Sequence, residues 1–392
     1  MNIMVLSQKL LTSDVSGMSK RLKLFMKYFK EHGHKVTFVA FYENDNELTD
    51  LAQANEYYDK IITVKLCRKL AYIRMLKAIS TGKPFKLEFF NTLKMHQAVD
   101  KELKNEHYDL LYSFFYKMVP FIEKHNDYKR YVDLNDAFAI NYDRQIENSK
   151  KWYKTLFLKS ERNRIYKFEK HCIDKFDKCI YVSETDKNYM TDEAHIGKTA
   201  TISVVNDTEY FKNENYDQYN TNEISYIGFM LYIANHDAVM YFIRSIFPLI
   251  KKKIPDATFK VIGADPREEL LEYAKNDKSV IVTGRVEDVR EHLKTSAVSV
   301  TPIRIGAGLQ NKILEAMSMG IPVVTSEVGA NPITTNRSIL PVAQTEQEYA
   351  DKICEIMQNR DLRLELSQKS IKFVEDNFSK ERFIEEMNKY FD

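Results

Sequence analysis

Short apolar runs alternate with longer stretches of helical period along most of the chain. Residues 2–7 read as an apolar strand, 8–17 as a polar loop, and 19–32 as a helix with Leu22, Phe25, Met26 and Phe29 on one stripe. Gly33 caps that helix and 35–41 is the next strand, which completes a β-α-β unit. Apolar runs at 108–114, 129–134, 179–183 and 201–206 continue the strand series, and Glu184 and Asp186 fall in the first turn of a helix after the third of these. Residues 212–223, KNENYDQYNTNE, hold almost nothing apolar and are the linker expected from composition. The rhythm then restarts: strands at 223–228, 258–263, 280–284 and 298–301 alternate with helices at 237–251, 266–275 and 286–294. The last amphipathic helix, 379–391, carries Phe383, Ile384, Met387, Tyr390 and Phe391. Strands alternating with helices predict parallel sheets, and 392 residues exceed one ordinary core, so two α/β domains follow.

The densest pattern is 301–326, TPIRIGAGLQNKILEAMSMGIPVVTS. It reads as strand end, glycine loop, helix, glycine stop and second strand. Ile313, Leu314, Ala316 and Met317 give the helix its apolar stripe, and Gly320 and Pro322 end it. A helix opening after a glycine loop presents free N–H groups and the positive end of its dipole, which suits phosphate oxygens. Lys312 and Glu315 are three apart, and Asn311 and Glu315 four apart, so these side chains share a face. A ligand with a diphosphate and a vicinal diol fits that set: Lys312 and Arg304 for the phosphates, Glu315 for ribose hydroxyls. A helix cap with a surface ion pair accounts for the same spacing, and glycine loops alone are weak signals.

These residues resemble the nucleotide-sugar site of GT-B glycosyltransferases, in particular the family-four-like branch. Its signature ends in a Glu on an LEAM-type helix followed by G-x-P-V-V, and this chain has LEAMSMGIPVVTS. The variant R-I-G-A-G-L-Q-N-K-I-L-E is similar to bacterial transferases of surface polysaccharides. The resemblance implies a GT-B fold: two facing Rossmann-like domains, a central cleft, and a C-terminal helix crossing back to the first domain. It divides the chain into an acceptor-binding domain at 1–215, a nucleotide-sugar domain at 216–377, and the returning helix at 378–392. It assigns Gly228, Gly284, Arg285, Gly306, Ala307, Gly308, Leu309, Gln310 and Asn311 to the nucleotide. Ser16 and Gly17 go to the acceptor loop, and Glu315, Lys312, Arg304 and Asp136 to the chemistry. There are three departures. Ala307 stands where many members carry a second Glu, residues 228–235 lack the usual Arg and Lys that contact the diphosphate, and Asp207 replaces a Gly after the 201–206 run.

The implied activity is transfer of a sugar from a nucleotide sugar, a UDP-sugar, to a glycan or lipid-linked acceptor in bacterial cell-surface polysaccharide synthesis. Retention of configuration, by same-face attack assisted by the leaving phosphate, comes with the resemblance and removes the need for a dedicated base. The chain contains no D-x-D carboxylate pair, so a metal-independent reaction with no cofactor beyond the nucleotide-sugar co-substrate is expected. A sugar-nucleotide epimerase of the same fold and a non-catalytic nucleotide-sugar-binding partner remain as alternatives. Asp136, at the end of the 129–134 strand, is the candidate for touching the acceptor or acting as base, with a helix N-cap as its structural counterpart. None of the nine histidines stands out.

Composition narrows the partners. The net charge of +2 carries no global polyanion signal, so nucleic acid is not expected. Four cysteines without a C-x-x-C pair indicate neither a zinc cluster nor a disulfide framework, and reduced thiols suit a cytoplasmic protein. No apolar run approaches a membrane span, and 2–7 reads as a first strand and not as a signal peptide. Charge is unevenly spread, however. Residues 59–104 hold eleven cations against four acids, and 149–178 hold ten against four, with aromatic residues between them. Solvated helix faces are one reading. The other is a surface that rests on an anionic membrane, peripheral to the inner face of the plasma membrane.

Overall fold

A computed structural model describes residues 1–11, 17–54, 56–147, 149, 151–305 and 309–392. They form two compact units, one of residues 1–204 with 384–392, the other of 205–383.

The first unit is built on seven parallel strands: β1 (Asn2–Ser7), β2 (Lys35–Tyr42), β3 (Lys60–Lys65), β4 (Leu110–Phe114), β5 (Lys129–Asn135), β6 (Lys178–Tyr181) and β7 (Thr199–Thr201). Their order across the sheet is β3-β2-β1-β4-β5-β6-β7. β1 and β4 are buried along nearly their whole length, which is why they read as unbroken apolar runs. The direction of winding reverses between β1 and β4, so the carboxyl ends of these two strands flank the place where such sheets take ligands. The strand that pairs with β6 is Thr199–Thr201, which shares only Thr201 with the run expected as a strand at 201–206. Beyond it the Arg21 guanidinium takes the carbonyl of Ile202 at 2.8 Å, and the ladder stops.

Residues 384–392 complete this unit. Phe391 is fully buried, 5.1 Å from the ring of Phe29, 5.6 Å from Tyr131 and 5.8 Å from Tyr112. The Tyr28 hydroxyl donates to Asn388 at 2.7 Å, and Glu386 accepts from the Ser203 amide at 2.8 Å.

The second unit has five parallel strands: β8 (Asn220–Ile227), β9 (Thr258–Ile262), β10 (Val280–Gly284), β11 (Ser296–Thr301) and β12 (Val323–Thr325). Their order is β10-β9-β8-β11-β12, with the reversal between β8 and β11. The end of the expected linker is strand: β8 already begins at Asn220, whose amide donates to Thr295 O at 2.8 Å. A buried cation holds the polar stretch before it. The Arg363 guanidinium bonds Tyr216 O at 2.8 Å and Ala297 O at 3.0 Å and lies 3.6 Å over the Tyr219 ring. The helix expected at 237–251 is also broken up. It runs as Ile233–Tyr241, a π turn at Phe242–Ile246, and Phe247–Lys253. Pro248 has no N–H for the α ladder, and the wider turn before it absorbs the gap.

Candidate functional site

The strongest motif follows β11, one of the two strands that flank the winding reversal in the second unit. β11 ends at Thr301, and the helix Asn311–Ser318 buries Ile313, Leu314, Ala316 and Met317. That leaves Asn311 exposed and Lys312 and Glu315 half-buried. The predicted contacts Gly306, Ala307 and Gly308 lie outside the described residues, as does Ser16 of the first unit. Leu309 and Gln310 are half-buried, and Gln310 is the residue preceding the helix.

Lys312 reaches across to the end of β8. Its Nζ donates to the Asn235 carboxamide oxygen at 2.5 Å and to the Tyr226 hydroxyl at 3.2 Å, and it lies 5.1 Å from the centre of the Tyr226 ring. Tyr226 is fully buried, and its hydroxyl also donates to Asn235 Oδ1 at 2.9 Å. Asn235 donates in turn to Phe229 O at 3.0 Å. Burial pushes the Lys312 ammonium down to about 8, against the pull of nearby Glu315. Its hydrogen-bond acceptors are neutral dipoles, so its positive charge is held in place without being matched by them. Such an ammonium is ready to receive an anion.

Two glycines make this seat possible. A Cβ on Gly228 would lie 2.8 Å from Asn235 Nδ2, so the absent side chain is the room the carboxamide occupies. A Cβ on Gly263, at φ +150, would lie 1.8 Å from Gly228 O. The sheet ends of β8 and β9 thus close on each other with no side chain between them. Gly284 and Arg285 sit elsewhere: Gly284 ends β10, the edge strand two places from β8, and Arg285 is exposed after it.

Arg304 has a different partner. Its guanidinium forks onto Asp237, with Nη2 to Oδ1 at 2.7 Å and Nε to Oδ2 at 3.1 Å, and stacks 4.2 Å over the Tyr241 ring. Both partners belong to the helix Ile233–Tyr241, which also carries Asn235. The segment after β8 contains no cation; it contributes Asn235 and Asp237, which hold the two cations supplied by the segment after β11. Spacing could not reveal this, because Lys312 and Asn235 are 77 residues apart.

The first unit has its own cluster at the carboxyl ends of its strands. Asp136 follows β5 and accepts from Asn135 Nδ2 at 2.9 Å. Burial, and next the neighbouring Asp186, raise its carboxyl to about 7. Glu169 is buried and raised to about 8, while it accepts from the Phe138 amide at 2.8 Å. The N-capping role weighed for Asp136 falls instead on Glu169 and on Asp186, which accepts from the Ala137 amide at 3.0 Å. Gly17 opens the helix Gly17–Glu31 that follows β1. Lys117 was not singled out by any motif. Its Nζ donates to Gln8 Oε1 at 2.7 Å, just past the end of β1, and lies 5.4 Å from the Phe90 ring. Burial, with Lys86 and Lys9 nearby, lowers it to about 8. Phe115, two residues before it, holds φ at +73, a strained value for an aromatic residue.

Residues 221–359 match the family model described as Glycosyl transferases group 1. A protein of the cps region of Klebsiella pneumoniae, described as an uncharacterized 44.6 kDa protein, is 22% identical over 376 residues, which span 89% of this chain and 89% of that one. Among solved structures, TarM, a protein of S. aureus, aligns over 99% of this chain and 98% of its own with a TM-score of 0.68 at 12% identity. Anabaena Alr3699/HepE, solved in complex with UDP, aligns over 99% of each chain with a TM-score of 0.65, again at 12% identity.

Proposed function

We propose that this chain, a glycosyltransferase of GT-B fold with its group 1 domain at 221–359, moves a sugar from a UDP-sugar to a glycan or lipid-linked acceptor of a cell-surface polysaccharide. The likeness to a cps-region protein supports the class of product, and the UDP bound by HepE supports the choice of nucleotide. Work on the cytoplasmic side, peripheral to the inner face of the membrane, belongs to the same proposal. Among the described residues no helix is long and apolar enough to cross a membrane.

One observation carries the donor site: the half-buried ammonium of Lys312, held by Asn235 and Tyr226 at the point where the sheet reverses. Breaking the bond between sugar and diphosphate leaves negative charge on the diphosphate, and a fixed cation in a poorly hydrated site stabilises that charge most as it forms. Lys312 takes that role, with the amino end of the helix Asn311–Ser318 adding its dipole. Arg304 exchanges Asp237 for phosphate when the donor binds. Glu315, on the same helix face, accepts from ribose hydroxyls. Asp136 orients the acceptor hydroxyl, and the departing phosphate draws the proton as the new bond forms on the same face of the sugar. This scheme uses side-chain cations alone, so transfer survives EDTA.

UDP release from a panel of nucleotide sugars, with and without EDTA, tests the reading. Hydrolysis or transfer with one UDP-sugar supports it. Formation of a 2-epimer, or binding without turnover on every donor and acceptor tried, sinks it.

A further inference from the structure

The helices at Arg68–Met75 and Lys77–Thr81 are built inside out. Each buries a single residue, Ala71 and Ala78, and turns its large apolar side chains to solvent. Ile73, Leu76 and Ile79, spaced by three, are all more than 60% exposed. An amphipathic helix of a free-standing protein does the reverse. The long helix Trp152–Lys175 repeats the feature in its first turns, where Trp152 is 79% exposed and Leu156 and Phe157 are exposed beside it; its first buried side chain is Leu158.

The two stretches lie some eighty residues apart in sequence yet meet in the first unit. The Phe85 ring lies 5.6 Å from Phe157, and the Phe85 amide donates to Glu161 Oε1 at 2.8 Å. The Arg164 guanidinium bonds the carbonyl of Lys83 at 3.2 Å as well as that of Ala78, and stacks 5.0 Å over Phe85. One patch results, and its charge has one sign. Residues 68–87 and 151–160 contain no acid at all, while Lys77, Lys86, Lys151, Lys154 and Lys159 are exposed. The acids that directly follow these stretches, Glu88 and Glu161, are buried, and the acid that precedes the second, Glu147, is exposed.

We infer that this face of the first unit is a docking surface for a bilayer rich in anionic lipid. The inference deepens the peripheral placement proposed above, by naming the surface, and it does not involve the nucleotide site. Exposed apolar patches of this kind are rare on monomers and mark an interaction. The companions decide between partners. Protein interfaces deplete lysine at their centres, whereas a bilayer accepts aromatic and aliphatic side chains below the head groups and lysine ammonium groups among them. An acid-free surface avoids repulsion from the lipid phosphates and gains from each lysine near them.

Trp152 is the sole tryptophan of the chain and sits in the patch, so its fluorescence reports on this surface alone. The full-length protein is mixed with vesicles of phosphatidylcholine, or of phosphatidylcholine with phosphatidylglycerol, some carrying brominated acyl chains. With phosphatidylglycerol the protein sediments with the vesicles, and Trp152 emission moves to the blue and is quenched by the bromines. Leu76→Ser with Ile79→Ser, and separately Lys77→Glu with Lys154→Glu, each weaken vesicle binding at least tenfold. UDP binding stays at the wild-type level in both variants and shows that they are folded. Three results would overturn the inference: equal binding to both vesicle types, sedimentation without quenching, or a blue shift that grows with protein concentration in the absence of lipid. The last would mean that a second copy covers the patch. Loss of UDP binding in the wild type would count against the donor site and leave this surface untouched.

Discussion

At the scale of single residues, the proposed donor site turns on Lys312, which spacing alone brings to notice because Glu315 is one turn on. What holds Lys312 was not legible. Asn235 and Tyr226 come from another strand and its following helix, and an asparagine in an apolar run carries no signal of its own. The depressed ammonium has consequences that can be measured. It ionises near 8 when folded and near 10.5 when unfolded, so between those values the unfolded chain holds the extra proton. The penalty Lys312 puts on stability is therefore full below 8 and is relieved as pH rises towards 10.5. UDP affinity moves the other way, because the anion needs the charged form. Titrations at a series of pH values should show affinity falling as pH rises above 8, and a flat profile in Lys312→Met.

Asp136 is the counterpart in the first unit. Its carboxyl sits near 7 when folded, against 3.8 in the unperturbed state, and Glu169 sits near 8. Both bind protons more readily when folded, so the stability they give is full below about pH 4, where the unfolded carboxyls are protonated too, and is lost as pH rises from there through the folded values of 7 and 8. Melting temperature should decline over that range, and Glu169→Gln should flatten the decline. Asp136→Asn should cut transfer by about a hundredfold, the order lost when a reacting group is misplaced, with UDP affinity unchanged.

At the scale of elements, period and punctuation placed most strands within two or three residues, because parallel strands buried on both faces read as unbroken apolar runs. Failures occurred where a distant group overrode local pattern. Arg363 orders the polar residues at 216–219, so β8 starts inside what composition marks as linker. Arg21 ends β7 early by taking a carbonyl. Pro248 was visible, but its effect, a π turn two residues upstream, follows from geometry and not from propensity. Gly320 was legible for the right reason. It holds φ at +65 after the helix Asn311–Ser318, and a Cβ there would lie 2.8 Å from Tyr216 Cβ. Gly320→Ala should lower stability by about 1–3 kcal/mol through the strained φ and the clash, measured by urea unfolding, and should weaken UDP binding by shifting the helix that carries Lys312.

At the scale of the whole molecule, two sheets were readable from the restart of the α/β rhythm after 212–223. That the last helix belongs to the first unit came from family resemblance, since an amphipathic stripe does not name the surface it covers. Phe391 fills a ring cluster with Phe29, Tyr112 and Tyr131. Phe391→Ala should cost about 3–5 kcal/mol, the range for emptying a buried phenylalanine site, seen as an early transition in thermal unfolding. The central claim is that the second unit grips a sugar nucleotide's diphosphate through one half-buried ammonium. Calorimetric titration of UDP into the wild type and into Lys312→Met at pH 7 tests it most directly. The account predicts a loss of affinity of about ten- to a hundredfold, as expected for a hydrogen bond to a charged group, in a variant whose melting temperature is equal to or above the wild type because the desolvation cost of the half-buried ammonium has been removed. Equal UDP affinity in the two proteins would contradict it.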